Sequence, residues 1–292
     1  MKPPNIRVQF YETYFFASAI RNILHDQFSY IRTLDEFYGD GKHLYFSKPF
    51  PRFSAFHSFL EFVIDDLLTA PTEEIDLDER RANAERFRNI PTALAEIEPF
   101  TLPIESAFKH HDLEYETFLE WLQANGKRFA DADPDDIHEY LSDLRLCGPF
   151  EELLIQSVRE SFFVLYGNRH LLMLFNDMMA RQFQRAAMDE VPEEHIHHFE
   201  KAGVLKRVHV PEWVRRAVFY RDKGRCVSCQ SDLSGLVTIW SEEHFDHIVP
   251  LAGGGLNDVT NIQLLCGACN LKKGAGCAFT SSYYEDWYPL SA

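Results

Sequence analysis

Four of the six cysteines fall into two matched pairs, Cys226 with Cys229 and Cys266 with Cys269. A C-x-x-C turn offers two thiolates to one ion, and two such turns complete a tetrahedral zinc site with Zn–S distances of about 2.3 Å. All four positions are then sulfur, so no place is left for water or substrate and the expected zinc is structural. The 36 residues between Cys229 and Cys266 are more than a simple zinc ribbon needs. They hold a second set of chemically capable residues: Asp246-His247, then Gly253-Gly254-Gly255, then Asn261 in the run Thr260 to Cys266, with Asn270, Lys272 and Lys273 just beyond. An imidazole supplies a base near neutral pH, while a carboxylate and a neutral amide oxygen suit a hard ion such as Mg²⁺ or Mn²⁺ better than a second zinc.

The run from Phe245 to Lys273, set between the cysteine pairs, resembles the HNH endonuclease family in its four-cysteine form, and the region from about Pro211 to Gly276 that carries the resemblance is roughly a quarter of the chain. The resemblance implies a ββα-metal fold, with the Asp-His pair on a strand, a central Asn in the loop that follows and a last His or Asn on a helix. It implies that Asp246 and Asn270 hold a single divalent ion, that His247 activates water, and that Asn261 fixes the loop and orients His247. The last position here is Asn270 rather than His, a variant the family contains. DNA is the implied substrate, with 5′-phosphate and 3′-hydroxyl products. The chemistry agrees: a phosphodiester attacked in line by water needs a base, a cation for the charge developing on phosphate, and help for the leaving oxygen. Neighbouring residues on a regular strand point to opposite faces, so a kink or bulge near Pro250 is expected to bring Asp246 and His247 to one site.

Apolar residues at three- and four-residue spacing predict helices over 9–24, 54–68, 114–122, 135–144, 150–166, 171–187 and 212–221, and 268–273 is expected to open a short helix. Two short strands of a hairpin are expected at 237–240 and 244–249. No alternation of six or more residues precedes position 200. The fold class expected is therefore α+β: a mainly α-helical domain over residues 1–200, then a basic linker helix and the ββα-metal domain over 201–292. The most apolar stretch, Ser161 to Met179, is broken by Gly167, Asn168, Arg169, His170, Asn176 and Asp177 and reads as a core helix, not a membrane span. With no secretory signal, a cytoplasmic location is expected.

A net charge of −16 argues against a nucleic-acid partner until its distribution is considered. Residues 201–292 hold 10 Lys+Arg against 9 Asp+Glu, and residues 1–200 hold 19 against 36. Within 201–225, eight basic residues face only Glu212 and Asp222. That excess can engage several phosphates. Arg215, Arg216, Arg221 and Lys223, with Lys272 and Lys273 after the last motif position, are the expected DNA contacts, and Lys272 and Lys273 read equally well as two solvated lysines near a helix end. The acidic N-terminal part suits a protein partner, self-association or restraint of the C-terminal part better than it suits a duplex.

Other candidates have weaker patterns. His244 either lines the cleft or caps a strand. Glu193 to His198 and His110-His111-Asp112 have ligand types without a ligand spacing and read as solvated surface. Asp65-Asp66 and Asp135-Asp136 read as a helix surface and a helix start, and Cys147 and Cys277 as unpaired thiols. Two rival functions remain: a non-catalytic zinc module binding DNA or protein, which would have no use for Asp246, His247 and Asn270, and an RNA-cutting nuclease. Helical extensions on this module resemble effectors of prokaryotic restriction or anti-phage defence.

Overall fold

A computed structural model describes residues 9–87, 100–235 and 243–282. In chain order the elements are α1 (Gln9–His25), α2 (Ile31–Tyr38), α3 (Ala55–Glu73), α4 (Leu77–Phe87), α5 (Pro103–His110), α6 (Phe118–Ala124), α7 (Pro134–Cys147), α8 (Pro149–Leu165), α9 (Arg169–Arg185), α10 (Glu193–Ile196), β1 (Phe199–Lys201), β2 (Val204–Leu205), α11 (Glu212–Arg221), β3 (Glu243–His247), β4 (Ile262–Cys266) and α12 (Gly267–Lys273). The class is α+β, with two separate antiparallel pairs, β1 with β2 and β3 with β4. All eight expected helices are present. Helices α2, α4, α5 and α10 were not expected; α2 and α5 span only eight residues each, too few to display a repeat.

The chain forms two compact units, one from residues up to 16 with 60–161, the other from 17–59 with 162–292. The first holds 11 Lys+Arg against 26 Asp+Glu, a sharper imbalance than a cut at residue 200 gives. Its core is aromatic: Phe118 lies 5.3 Å from Tyr140 and 6.1 Å from Trp121, ring centre to ring centre. Capping boxes start its helices, Thr117 with Glu120 at α6 and Asp133 with Asp136 at α7. Asp136 is therefore a helix start, as its place after Pro134 suggests. His111 departs from the solvated surface expected of it. It is buried, with Nε2 3.3 Å from Glu12 and Nδ1 3.7 Å from Glu160.

In the second unit, α9 is apolar on the faces it buries, with Leu171, Leu172, Phe175, Met178, Met179 and Phe183 all enclosed. Phe175 meets Phe56 and Phe59 at 5.1 and 5.4 Å. Helix α11 buries Val214 and Val218 against Ile262, Leu264 and Leu265 of β4, together with Cys226, Val227 and Leu233. β3 and β4 pair in an unbroken register from Glu243↔Cys266 to His247↔Ile262. The partner of β3 among the described residues is thus 262–266, a run buried on both faces and so without alternation. The strand expected at 237–240 lies outside the described residues.

A buried charge cluster ties these pieces together. Asp222 accepts from Arg221 Nε at 2.9 Å and Nη2 at 3.0 Å, from Arg169 Nη1 at 3.3 Å and from the Leu264 amide at 2.9 Å. Three charges buried together are tolerable only because each finds a hydrogen-bonded partner.

Candidate active site and metal centre

The first cysteine knuckle is a tight hairpin. The Cys226 amide donates to Ser231 O at 3.0 Å and the Gln230 amide returns to Cys226 O at 2.8 Å, with Gln230 at φ +64°. The second knuckle is the start of α12, where Cys266 caps the helix and its Sγ accepts from the Cys269 amide at 3.5 Å. The four Sγ atoms lie within 4.8 Å of one another. Cys229 and Cys266 are 3.7 Å apart at sulfur, against an edge of about 3.8 Å for a tetrahedron with Zn–S near 2.3 Å. Burial pushes the Cys269 thiol up to about 12 and raises Cys226, whereas at Cys229 burial is outweighed by the bonds from Ser231, Cys226 and Cys269 together, which bring the thiol down to about 6. A divalent cation supplies the charge that lets all four ionise together. The four cysteines therefore fit a metal.

Asp246 and His247 end β3. No bulge interrupts the register there; the site is assembled because the strand stops at His247, and both residues line a cavity of about 290 Å³. The kink follows, at the turn Leu251–Gly253 after Pro250. His247 is 2% exposed. Its Nε2 lies 3.2 Å from Asn257 Oδ1, and Asn257 Nδ2 donates to Lys206 O at 2.9 Å. The second bond fixes which end of the amide faces the ring. Nε2 must then carry the proton, leaving the Nδ1 lone pair free, and Nδ1 is buried without a hydrogen-bond partner among the described residues. Burial lowers the His247 pKa to about 4, with Arg207 and Lys273 adding to the fall and the Asn257 bond and Asp246 opposing it. The imidazole is neutral at physiological pH.

Asn261 sits apart from this ring. Its Oδ1 accepts from the Val249 amide at 2.8 Å, and its Nδ2 donates to Val249 O at 3.0 Å and Leu256 O at 2.9 Å. Both N–H groups and the carbonyl of the buried amide are thus engaged in closing the loop between the strands. Asn270 is half-buried on α12, one turn before Lys273. Lys273 is not a solvated or phosphate-facing lysine. Its side chain is 3% exposed, and Nζ lies 2.8 Å from Asp246 Oδ2 and 2.7 Å from His247 O.

The expected DNA contacts divide. Arg216 and Arg215 are exposed or partly so, each paired with Glu212, at 3.2 and 3.8 Å. Lys223 and Lys272 are exposed. Arg221 is a correction to the expected patch: its side chain is 1% exposed and its charge is consumed by Asp222 and the Ile262 carbonyl. Residues that sequence reasoning missed are Asn257, whose only signal is its place two residues after Gly255, and Lys201 and Arg207, which line the cavity from outside the motif.

Helix α9 is the shelf for both walls of the cavity. Gly203, in the β1–β2 turn at φ +70°, lies so close that a Cβ there would stand 2.9 Å from Phe183 O. Gly254, at φ +84°, would place one 2.5 Å from Ala180 O, and Gln184 Nε2 donates to Gly253 O at 2.6 Å. Only glycine permits this approach with this backbone.

An antiparallel hairpin followed at once by a short helix, closed by two cysteine knuckles, is a ββα-metal module. Residues 226–276 match the family described as HNH endonuclease. No curated protein and no solved structure matches the chain. No described helix is long and apolar enough to cross a membrane.

Proposed function

We propose that the protein is a divalent-metal-dependent endonuclease that hydrolyses DNA phosphodiester bonds. The observation that carries this reading is the Lys206–Asn257–His247 chain, which leaves a neutral imidazole with one free lone pair beside Asp246 and an open cavity. A binding module has no use for that arrangement. Asp246 and Asn270 offer hard oxygen donors, which fits Mg²⁺ or Mn²⁺ with water completing the shell. An ion held there would stabilise charge on the phosphate and on the leaving oxygen. His247 Nδ1 takes one proton of the attacking water as its oxygen bonds to phosphorus, the P–O3′ bond breaks, O3′ takes a proton from solvent, and the products are a 5′-phosphate and a 3′-hydroxyl. Asn261 holds the loop that places Asn257, and Cys226, Cys229, Cys266 and Cys269 hold a structural zinc. The acidic unit suits a protein partner, self-association or restraint of the nuclease, as in an effector of prokaryotic restriction or anti-phage defence.

Incubation of supercoiled plasmid with the protein in Mg²⁺ or Mn²⁺ tests this directly. Relaxed or linear product that vanishes with His247→Ala and with EDTA is expected. An intact, zinc-loaded protein that leaves DNA uncut in both ions, or that cuts only an RNA substrate, would overturn the reading.

A further inference from the structure

Eight basic residues lie between 201 and 225, but the structure commits most of them elsewhere. Arg221 is buried on Asp222, Arg215 and Arg216 are paired with Glu212, Lys206 Nζ donates to His197 O at 2.9 Å, and Arg225 reaches Gln230 O at 3.4 Å. Lys201 and Arg207 differ. Both are exposed, both line the cavity that holds Asp246 and His247, and neither side chain has a hydrogen bond or ion pair among the described residues. The Arg207 charge is close enough to help lower the pKa of His247.

The wall that carries them is fixed. Phe199 and Leu205 are buried, Phe199 stacks on Phe183 at 6.0 Å, and Gly203 abuts the end of α9. The strand leaving the hairpin is tied by the bond from Asn257 to Lys206 O, one residue before Arg207. The amide that orients His247 therefore also sets the position of Arg207. Inside the cavity, Lys273 and Asp246 neutralise each other at 2.8 Å, so the charges left to meet a ligand are Lys201 and Arg207 against Glu200.

We propose that Arg207, assisted by Lys201, is the phosphate-binding site of the cavity and seats the phosphodiester of a DNA strand opposite His247. This rests on the nuclease reading for its substrate, but not for its measurement. A planar guanidinium with no internal partner matches a phosphate in two-point fashion, and a lysine in its place keeps the charge while losing that geometry. The principal phosphate contact then lies on the segment that leaves the β1–β2 hairpin and not on α11.

The test is fluorescence anisotropy of a labelled duplex oligonucleotide with full-length protein carrying His247→Ala, in buffer without added Mg²⁺ or Mn²⁺, across a KCl series. Arg207→Ala is expected to weaken binding at least fivefold and to lower the slope of log K against log salt by about one. Arg207→Lys should recover most of the slope and part of the affinity, and Lys201→Ala should have a smaller effect. Arg216→Ala is the comparison on α11 and should change little. Arg207 makes no internal bond, so its thermal midpoint should match the parent. Unchanged affinity and slope for Arg207→Ala would overturn the proposal, as would a larger loss from Arg216→Ala. Plasmid cleavage by protein with His247 intact separates the two ideas: cutting with unaltered binding in Arg207→Ala sinks the phosphate site alone, and loss of binding in a protein that never cuts sinks the nuclease reading alone.

Discussion

Asn257 Oδ1 lies 3.2 Å from His247 Nε2 while its own Nδ2 donates to Lys206 O at 2.9 Å, so one amide sets the tautomer of the buried imidazole. Asn257→Ala frees the ring to rotate or to move its proton to Nδ1. Losing a neutral hydrogen bond of about 1–1.5 kcal/mol in the transition state slows catalysis roughly 5–15-fold. The expected outcome is a fall in kcat with KM little changed, read in single-turnover cleavage. Asn257→Asp should restore the acceptor but raise the pKa of His247, moving the acid limb of the rate profile upward. If both variants cleave at the parental rate with the parental pH profile, Asn257 does not position the base.

Lys273 is almost wholly enclosed, and its ammonium bridges Asp246 Oδ2 at 2.8 Å and His247 O at 2.7 Å. It thereby pins α12 to the end of β3. Lys273→Met removes the partner of a carboxylate that retains some contact with the cavity, so a loss of about 2–3 kcal/mol is expected, below the cost of opening a fully buried pair. The carboxylate left behind is a better cation ligand than before. Millimolar Mg²⁺ should consequently raise the denaturation midpoint of Lys273→Met more than that of the parent. Equal Mg²⁺ responses would show that Lys273 and the divalent ion do not compete for Asp246.

Asn261 closes the loop between β3 and β4 with three hydrogen bonds and no exposed surface. Asn261→Ala leaves two carbonyls and an amide without partners in the interior, at a cost of about 2–4 kcal/mol. Asn261→Asp is nearly isosteric but loses both donors, so it should not rescue. Urea denaturation checks this, and a variant within 0.5 kcal/mol or so of the parent would remove Asn261 from the structural role assigned to it.

The chemistry-bearing residues of the module were legible because their order along the chain reflects their order in the hairpin, loop and helix. Helix α11 was legible from its 3.6-residue period, and α7 from its proline and capping residues. The strand at 262–266 was not, because both its faces are buried and the run Ile-Gln-Leu-Leu-Cys has no alternation to read. Arg221 and Lys273 were misread for a related reason: composition reports a charge but not whether a carboxylate lies beside it in space. Asn257 and Arg207 gain their roles only when the hairpin at 199–205 folds against the loop at 250–257, a contact between segments some 50 residues apart.

The lowered pKa of His247 gives stability a pH signature. Between its ordinary value near 6.5 and the folded value of about 4, the unfolded chain binds a proton at this residue and the folded chain does not. Stability from this residue is therefore complete above about pH 6.5 and falls as pH drops toward 4. His247→Gln should lose less stability than the parent between pH 7 and 4.5, since the remaining titrating groups, the cysteines included, are common to both. Parallel curves for the two proteins over that range would mean that His247 does not remain neutral in the fold.

Residues 201–292 alone should not reproduce the folded ββα module, even with zinc. Asp222 would lose Arg169, and Asp258, a buried carboxylate whose pKa is raised by burial, would lose the Ala55 amide at 2.9 Å. Asn257 O would lose the Phe50 amide at 2.7 Å, Thr260 would lose Asn176, and the glycine loop would lose α9. Asp222 keeps Arg221 and the Leu264 amide, and Asp258 keeps Thr260, but each buried group loses a partner, and the loss at Asn257 O falls on the loop that carries Asn257 and Asn261. Adding 162–200 restores α9 and Arg169 but not the segment at 50–55. Amide dispersion in NMR spectra and cooperative thermal melting distinguish the fragments, with full cooperativity expected only when 17–59 is also present. A cooperative, zinc-dependent melt of 201–292 matching that of the full chain would show the module to be independent of both helical segments.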